Sequence, residues 1–92
     1  MNSNSFHQYR EQREDGSLKA IFSRYLSEDG TNWIMHGKFM SFHSNGEMAA
    51  SGEYTHNIKD GFWTNWYADG GIASCGTYRD GEKADDWEYF DE

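Results

Sequence analysis

Cysteine, proline and long apolar runs are almost or wholly missing from this chain. Among 92 residues there is no proline and one cysteine, Cys75, which cannot form an internal disulfide. The sequence therefore carries no sign of an oxidising compartment. No apolar run approaches the roughly 18 residues that span a membrane. The first residues also lack the basic region and apolar core of a signal peptide, so we expect a cytoplasmic protein without a membrane span.

Positive charge is also scarce. Eight Lys and Arg residues face 16 Asp and Glu residues, for a formal charge of −8. Residues 69–92 hold eight acids and two bases, so this quarter of the chain alone carries −6. Such a surface repels nucleic acid and anionic membranes, and we expect no direct binding to either. The charge suits a basic protein partner, or serves only to keep a small domain soluble.

Aromatic residues are abundant by contrast, at 17% of the chain against 36% for all hydrophobic residues. Each large ring buries about 150–250 Å², so a few rings are enough for the core of one small domain, residues 1–92. The runs between turns are rich in rings and show no helical periodicity. They predict seven strands at residues 6–13, 18–27, 32–43, 47–55, 62–68, 71–79 and 86–90.

Asx-Gly pairs separate most of these runs and are the strongest short hairpin signal. Because every connection is short, neighbouring strands are expected to pair antiparallel. The predicted fold is all-β, an antiparallel meander of tandem hairpins in one elongated twisted sheet. The six pairs are Asp15-Gly16, Asp29-Gly30, Asn45-Gly46, Asp60-Gly61, Asp69-Gly70 and Asp80-Gly81.

A 24-residue repeat organises the chain. Residues 37–60 and 61–84 are identical at six of 24 aligned positions, which marks two copies of one hairpin unit. Each copy has a glycine two residues before a tyrosine, at Gly52 and Gly76. Glycine there leaves room for a neighbouring ring to cover the backbone. The remaining segments are predicted to be a frayed tail at 1–5, an atypical capping hairpin at 6–36 and a half repeat at 85–92.

The repeat resembles the MORN repeat, most closely the variant in bacterial antitoxin-like proteins of toxin–antitoxin modules. The pattern is Gly-x-Trp-x-x-Trp/Tyr-Tyr-x-Asp-Gly, then Gly-x-Tyr and Lys-x-Gly, although Asp85-Asp86 replaces the glycine before the third aromatic. The resemblance implies successive β-hairpins and no catalytic residue. It rests on Gly61, Trp63, Trp66, Tyr67, Asp69, Gly70, Gly76 and Tyr78, and on Phe39, Phe42, Asn45, Gly46, Gly52 and Tyr54.

No group of residues has the spacing of a metal or catalytic site. The four histidines at 7, 36, 43 and 56 lack the short spacings of zinc ligands. Cys75 has no basic neighbour in sequence that would activate a thiolate. The acidic C-terminal end does not match a calcium-binding loop. We therefore expect neither enzymatic activity nor a cofactor.

Strand alternation predicts aromatic residues on both faces of the sheet. Phe62 and Trp66 are expected on one face, and Trp63 and Tyr67 on the other. Either the chain covers the second face itself, or a partner does. The hypothesis is a small inhibitor that masks a basic protein stoichiometrically, as an antitoxin, an immunity protein or a phage anti-defence antagonist. Alternatives are a structural scaffold and a homodimer. The expected contacts are Trp63, Trp66, Tyr67, Trp87, Asp80, Glu82, Asp85, Asp86 and Glu88.

Overall fold

The computed structural model describes residues 6–92, which contain β-strands and no helix. The predicted tail at 1–5 lies outside the described residues. The strands are β1 (His7–Gln12), β2 (Leu18–Leu26), β3 (Trp33–Phe42), β4 (Met48–Thr55), β5 (Ile58–Trp66), β6 (Ile72–Arg79), β7 (Glu82–Lys83) and β8 (Glu88–Tyr89).

Each strand pairs antiparallel with the next, in the order β1 to β7, and β8 returns to pair with β6. The predicted all-β meander is thereby confirmed. The sheet measures 48 × 37 × 16 Å. Since two stacked sheets would already lie about 10 Å apart, this thickness fits one layer with its side chains. Residues 6–92 thus form one open sheet without a second layer.

Four turns share a geometry that an Asx-Gly pair creates. In the turn at 43–47, the His43 N–H donates to the Glu47 carbonyl and the Gly46 N–H donates to the His43 carbonyl. The Asn45 side chain accepts the Glu47 N–H. Gly46 has φ +92°, a conformation that glycine adopts at least cost. The same pattern recurs at 13–17 and 67–71, and with one additional residue at 27–32.

Two hairpins close on tighter, two-residue turns. These are His56-Asn57, between β4 and β5, and Asp80-Gly81, between β6 and β7. Their φ angles are +49° and +72° in the first turn and +52° and +85° in the second. Positive φ at both central positions defines the type I′ turn, whose twist matches that of paired strands. The Asp80-Gly81 pair therefore forms the turn that its sequence predicts.

The turn before β5 does not lie where the sequence predicts it. The strand was expected to begin at residue 62, after a turn at Asp60-Gly61. It begins at Ile58 because His56-Asn57 closes the hairpin first. Gly61 uses its positive φ of +77° inside the strand, near an irregularity in the β4–β5 register. Such bulges are a known use of glycine within strands.

One face of the sheet, here called the ladder face, holds a continuous row of rings. Successive ring centroids along the row are 5.1 to 6.1 Å apart, within the range of favourable aromatic contacts. The row crosses β1 to β6, so it replaces the buried core that a second layer would provide. Its members are Tyr9, Phe22, Phe39, Tyr54, Trp63, Tyr78 and Trp87.

Each tryptophan of the row covers a glycine on the strand beside it. A Cβ built on Gly52 would lie 2.1 Å from Cδ2 of Trp63, and one built on Gly76 would lie 2.5 Å from Trp87. The Trp63 indole N–H also donates to the Glu53 carbonyl at 3.0 Å. This confirms that the glycine of the Gly-x-Tyr pattern leaves space for a neighbouring ring.

Lysine side chains extend this packing outward. Lys59 Nζ lies 4.9 Å from the Trp63 ring centroid, and Lys83 Nζ lies 4.5 Å from that of Trp87. Both lysines thus combine a cation–π contact with coverage by their alkyl chains. With Lys59, Tyr54 and Tyr78 around it, Trp63 is only 2% exposed although the sheet has a single layer.

Side chains at the ends of three strands connect one hairpin to the next. Each of these connections is a hydrogen bond from the side chain of the first residue of an Asx-Gly turn. The acceptors are the backbone carbonyls of residues 42, 66 and 90, which follow one another at intervals of 24 residues. The repeat in sequence is therefore also a repeat of inter-hairpin contacts. The bonds join Arg13 Nη2 to Phe42 O at 2.6 Å, His43 Nε2 to Trp66 O at 2.8 Å and Tyr67 Oη to Phe90 O at 2.5 Å.

Candidate binding surface

The face opposite the ring ladder, here called the open face, is not covered by any of residues 6–92. Directly opposed residues on antiparallel neighbours share a face. Trp63 and Gly76 oppose each other on the ladder face, and Phe62 and Thr77 are the next opposed pair along the two strands. Since successive residues of a strand point to opposite faces, Phe62 points to the open face. It is 61% exposed there. The N-terminal hairpin extends the sheet at its edge and does not fold back over this face.

A row of charged residues lies on one side of Phe62. The register opposes Lys38 to Glu53 and Glu53 to Asp60, which places the three on the open face. Lys38, Glu53 and Phe62, together with Met40, line one shallow depression. An exposed ring with a charged row beside it offers both apolar area and electrostatic selectivity.

Two more carboxylates lie on the other side of Phe62. Asp86 accepts the Thr77 N–H at 2.9 Å and the Thr77 hydroxyl at 2.7 Å. Glu88 opposes Cys75 on β6. Cys75 lies two residues from Thr77 and therefore on the same face of the strand, so Glu88 also lies on the open face. Carboxylates therefore lie on both sides of the Phe62 ring, toward β4 and toward β6.

The position and charge of Asp86 are fixed by these hydrogen bonds. The bonds from the Thr77 hydroxyl and backbone N–H hold the pKa of the Asp86 carboxyl below its usual range. Asp86 therefore stays ionised at neutral pH while its side chain connects the C-terminal segment to β6. In this way Asp86, which aligns with Lys38 and Phe62 in the repeat, connects two segments of the chain.

Asp86 should make stability depend on pH in the acid range. Because its pKa is lower in the folded chain, its contribution is fully present above the normal carboxyl range and is lost as pH falls through the folded pKa. We expect Asp86→Asn to lower the urea midpoint at about pH 6, and the difference from wild type to shrink toward about pH 3. Asp85→Asn is the control. A difference that stays constant with pH would contradict this role.

None of the four predicted aromatic contacts is among the strongly exposed hydrophobic residues. The burial of Trp63 corrects its expected role, because the ring packs inside the ladder and offers no surface to a partner. Trp87 is half-buried in the same ladder. Tyr67 is half-buried and bonded to the Phe90 carbonyl, and Trp66 is half-buried at the end of β5.

The five predicted acidic contacts are all exposed along the edge formed by β6, β7 and β8. Within residues 6–92 the only ion pair joins Lys19 to Glu11, at 3.7 Å. No described cation therefore neutralises this edge through a direct contact. Its carboxylates are Asp80, Glu82, Asp85, Asp86 and Glu88.

Phe62 is the exposed anchor that sequence reasoning did not select, although its face was predicted correctly. A signal was available in the repeat itself. Phe39, Trp63 and Trp87 recur at 24-residue spacing and form the ladder, whereas Phe62 aligns with Lys38 and Asp86. A ring that departs from the repeat is not needed for the contacts that every repeat makes.

Histidine and cysteine residues form no second candidate site. The His36 and His56 rings are in contact, with centroids 4.6 Å apart. Among residues 6–92, however, no group of three His, Cys, Asp or Glu side chains is arranged to hold a metal ion. Cys75 is a half-buried residue of β6.

Comparison with known proteins gives no assignment. No protein-family model matches the chain, and neither a curated protein nor a solved structure matches it. The described part of the chain also contains no helix long and apolar enough to cross a membrane. The open face and the acidic edge are therefore the features that indicate a function.

Proposed function

We propose that this chain is a non-enzymatic cytoplasmic protein that inhibits a basic protein by masking it stoichiometrically. The supporting observation is the uncovered sheet face on which the exposed ring of Phe62 lies beside carboxylates that form no direct ion pair among residues 6–92. Such a partner would be a toxin or a nucleic-acid-binding effector. The resemblance to MORN repeats of antitoxin-like proteins favours an antitoxin or immunity role, and a phage antagonist of a defence nuclease uses the same surface chemistry.

The dimensions of the sheet suit this role. A stable interface buries about 800 Å² on each partner, which a square of roughly 28 Å would provide. The sheet extends 48 × 37 Å, so one face is large enough. Because the ladder face supplies the packing, the open face does not have to rearrange before binding. A preformed surface avoids part of the entropic cost of association.

Charge and apolar area contribute in different ways. The acidic edge attracts a basic protein over several ångströms and accelerates encounter, an effect that salt screens. At contact, Phe62 offers apolar area and a ring face. A lysine or arginine of the partner placed over that ring would gain about 0.5–2 kcal/mol from the cation–π contact. Aromatic residues of this kind are frequent anchors at interface centres.

The proposal is tested by capturing a partner on the immobilised chain and then measuring its affinity by calorimetry. We expect a basic protein bound at a 1:1 ratio, with affinity falling at least tenfold between about 50 and about 300 mM salt. An acidic partner, or an affinity that does not respond to salt, would contradict the proposal. Light scattering of the isolated chain tests the alternative, because a stable dimer with a buried open face indicates a self-associating scaffold.

A further inference from the structure

On the ladder face, Arg24 is held in a fixed position by two aromatic rings. Its Cζ atom lies 4.0 Å from the ring centroid of Tyr9 and 4.0 Å from that of Trp33. Contact with two rings restrains the guanidinium through cation–π interactions, which do not use its N–H donors. The planar group is therefore positioned before any ligand binds.

The charge of Arg24 has no counterpart in the described part of the chain. Among residues 6–92 its guanidinium makes no hydrogen bond and no ion pair. Its Nε is buried without an acceptor, an uncommon state for a charged donor. Residues 1–5 contain no acidic side chain that could pair with it. Arg13 differs, because its terminal nitrogens donate to Ser17, Leu18 and Phe42.

The surroundings of Arg24 are accessible and carry a second nitrogen donor. Trp33 is 45% exposed and Tyr9 is 38% exposed. His7 is directly opposite Arg24 in the β1–β2 register, and its ring is nearly perpendicular to that of Trp33, with centroids 5.9 Å apart. Donors from β1 and β2 thus meet at one corner of the sheet.

We propose that Arg24, with His7 beside it, forms a binding site for an oxyanion, namely a carboxylate or phosphate group. The guanidinium fork binds both groups through paired N–H donors, and its stacking on two rings reduces the side-chain entropy lost on binding. Arg24 differs from the other cations of the chain in that two aromatic rings hold its guanidinium while its Nε is buried without an acceptor among residues 6–92. The site lies on the ladder face, so it is independent of the proposed inhibitor surface.

The test is a titration of the ¹⁵N-labelled full chain with sodium phosphate and, separately, with sodium acetate, followed by NMR. Chloride keeps the ionic strength constant. We expect saturable shifts of the Trp33 indole N–H and the Arg24 Nε–H, with a Kd in the millimolar range typical of a single small anion. Saturation by phosphate alone, acetate alone or both supports the site and identifies the source of the oxyanion.

Variants separate the site from general charge effects. Arg24→Gln should weaken binding about tenfold or more, since bonds to charged groups contribute most of such affinity. Arg10→Gln removes the same charge from the opposite face, where Arg10 opposes Ile21, and should bind like wild type. If Arg24→Gln does not fold, Arg24→Lys keeps the charge without the fork and should also bind more weakly. Shifts equal to those in chloride, or equal losses at Arg10 and Arg24, would overturn the proposal.

Discussion

Trp63→Ala is expected to lower the free energy of unfolding by about 3–5 kcal/mol, the usual cost of truncating a buried tryptophan. The ring is 2% exposed and contacts the rings of Phe39, Tyr54 and Tyr78. Its indole N–H bond to the Glu53 carbonyl would also be lost. Domains are stable by about 5–15 kcal/mol, so at the lower end of that range the variant would retain about 2 kcal/mol or less. Urea unfolding followed by circular dichroism measures the change.

Phe62→Ala is the matched control for this prediction. Phe62 precedes Trp63 on β5, but it points to the open face and is 61% exposed. We expect its free energy of unfolding to stay within about 0.5 kcal/mol of wild type. If the two truncations destabilised the chain equally, both faces would have to be packed, and the assignment of one open face would fail.

Gly52→Ala is expected to cost about 3 kcal/mol or more, although it adds a single methyl group. The added carbon would lie 2.1 Å from Cδ2 and 2.2 Å from Cε2 of Trp63. The clash involves the core of an enclosed indole and not the end of a flexible side chain, so a small rotation does not relieve it. The indole would have to lift away from β4, and its contacts with the neighbouring rings would be lost with it. Thermal unfolding of the two proteins measures the difference.

The control for this substitution is Gly71→Ala. A Cβ at Gly71 would meet only the Asp69 carboxylate, at 3.4 Å, which is an ordinary contact. We expect nearly unchanged stability there, whereas Gly76→Ala should resemble Gly52→Ala because Trp87 covers Gly76. Wild-type stability of Gly52→Ala would show that Trp63 does not rest on the strand backbone.

Much of the fold could be predicted from local patterns. Asn45-Gly46 and Asp69-Gly70 determine their turns through the positive φ of glycine and the Asx side-chain bond, both of which are local. The glycine beneath Trp63 could also be predicted, because strand alternation relates it to the tyrosine two residues later. The start of β5 could not be predicted. His56-Asn57 forms a type I′ turn without glycine, whereas Asp60-Gly61 has the sequence of a turn but lies within β5.

The candidate site was harder to predict because exposure is a property of the whole sheet. Trp63 and Phe62 are adjacent aromatic residues, and only the packing of neighbouring strands decides that one is enclosed and the other is not. Asp86 belonged to an acidic run in sequence, yet its carboxylate binds Thr77, nine residues away. A contact of that kind depends on how the C-terminal segment returns to β6 and has no local signature.

Whether the open face binds the basic partner is tested by the affinity of the captured partner for two variants, measured by calorimetry at low salt. Phe62→Ala removes the exposed ring of the open face, and Tyr89→Ala removes a ring that is 65% exposed on the ladder face. We predict that Phe62→Ala weakens binding about 30-fold, as loss of an interface anchor does, while Tyr89→Ala stays within about threefold of wild type. Unchanged affinity in Phe62→Ala with a large loss in Tyr89→Ala would contradict the account.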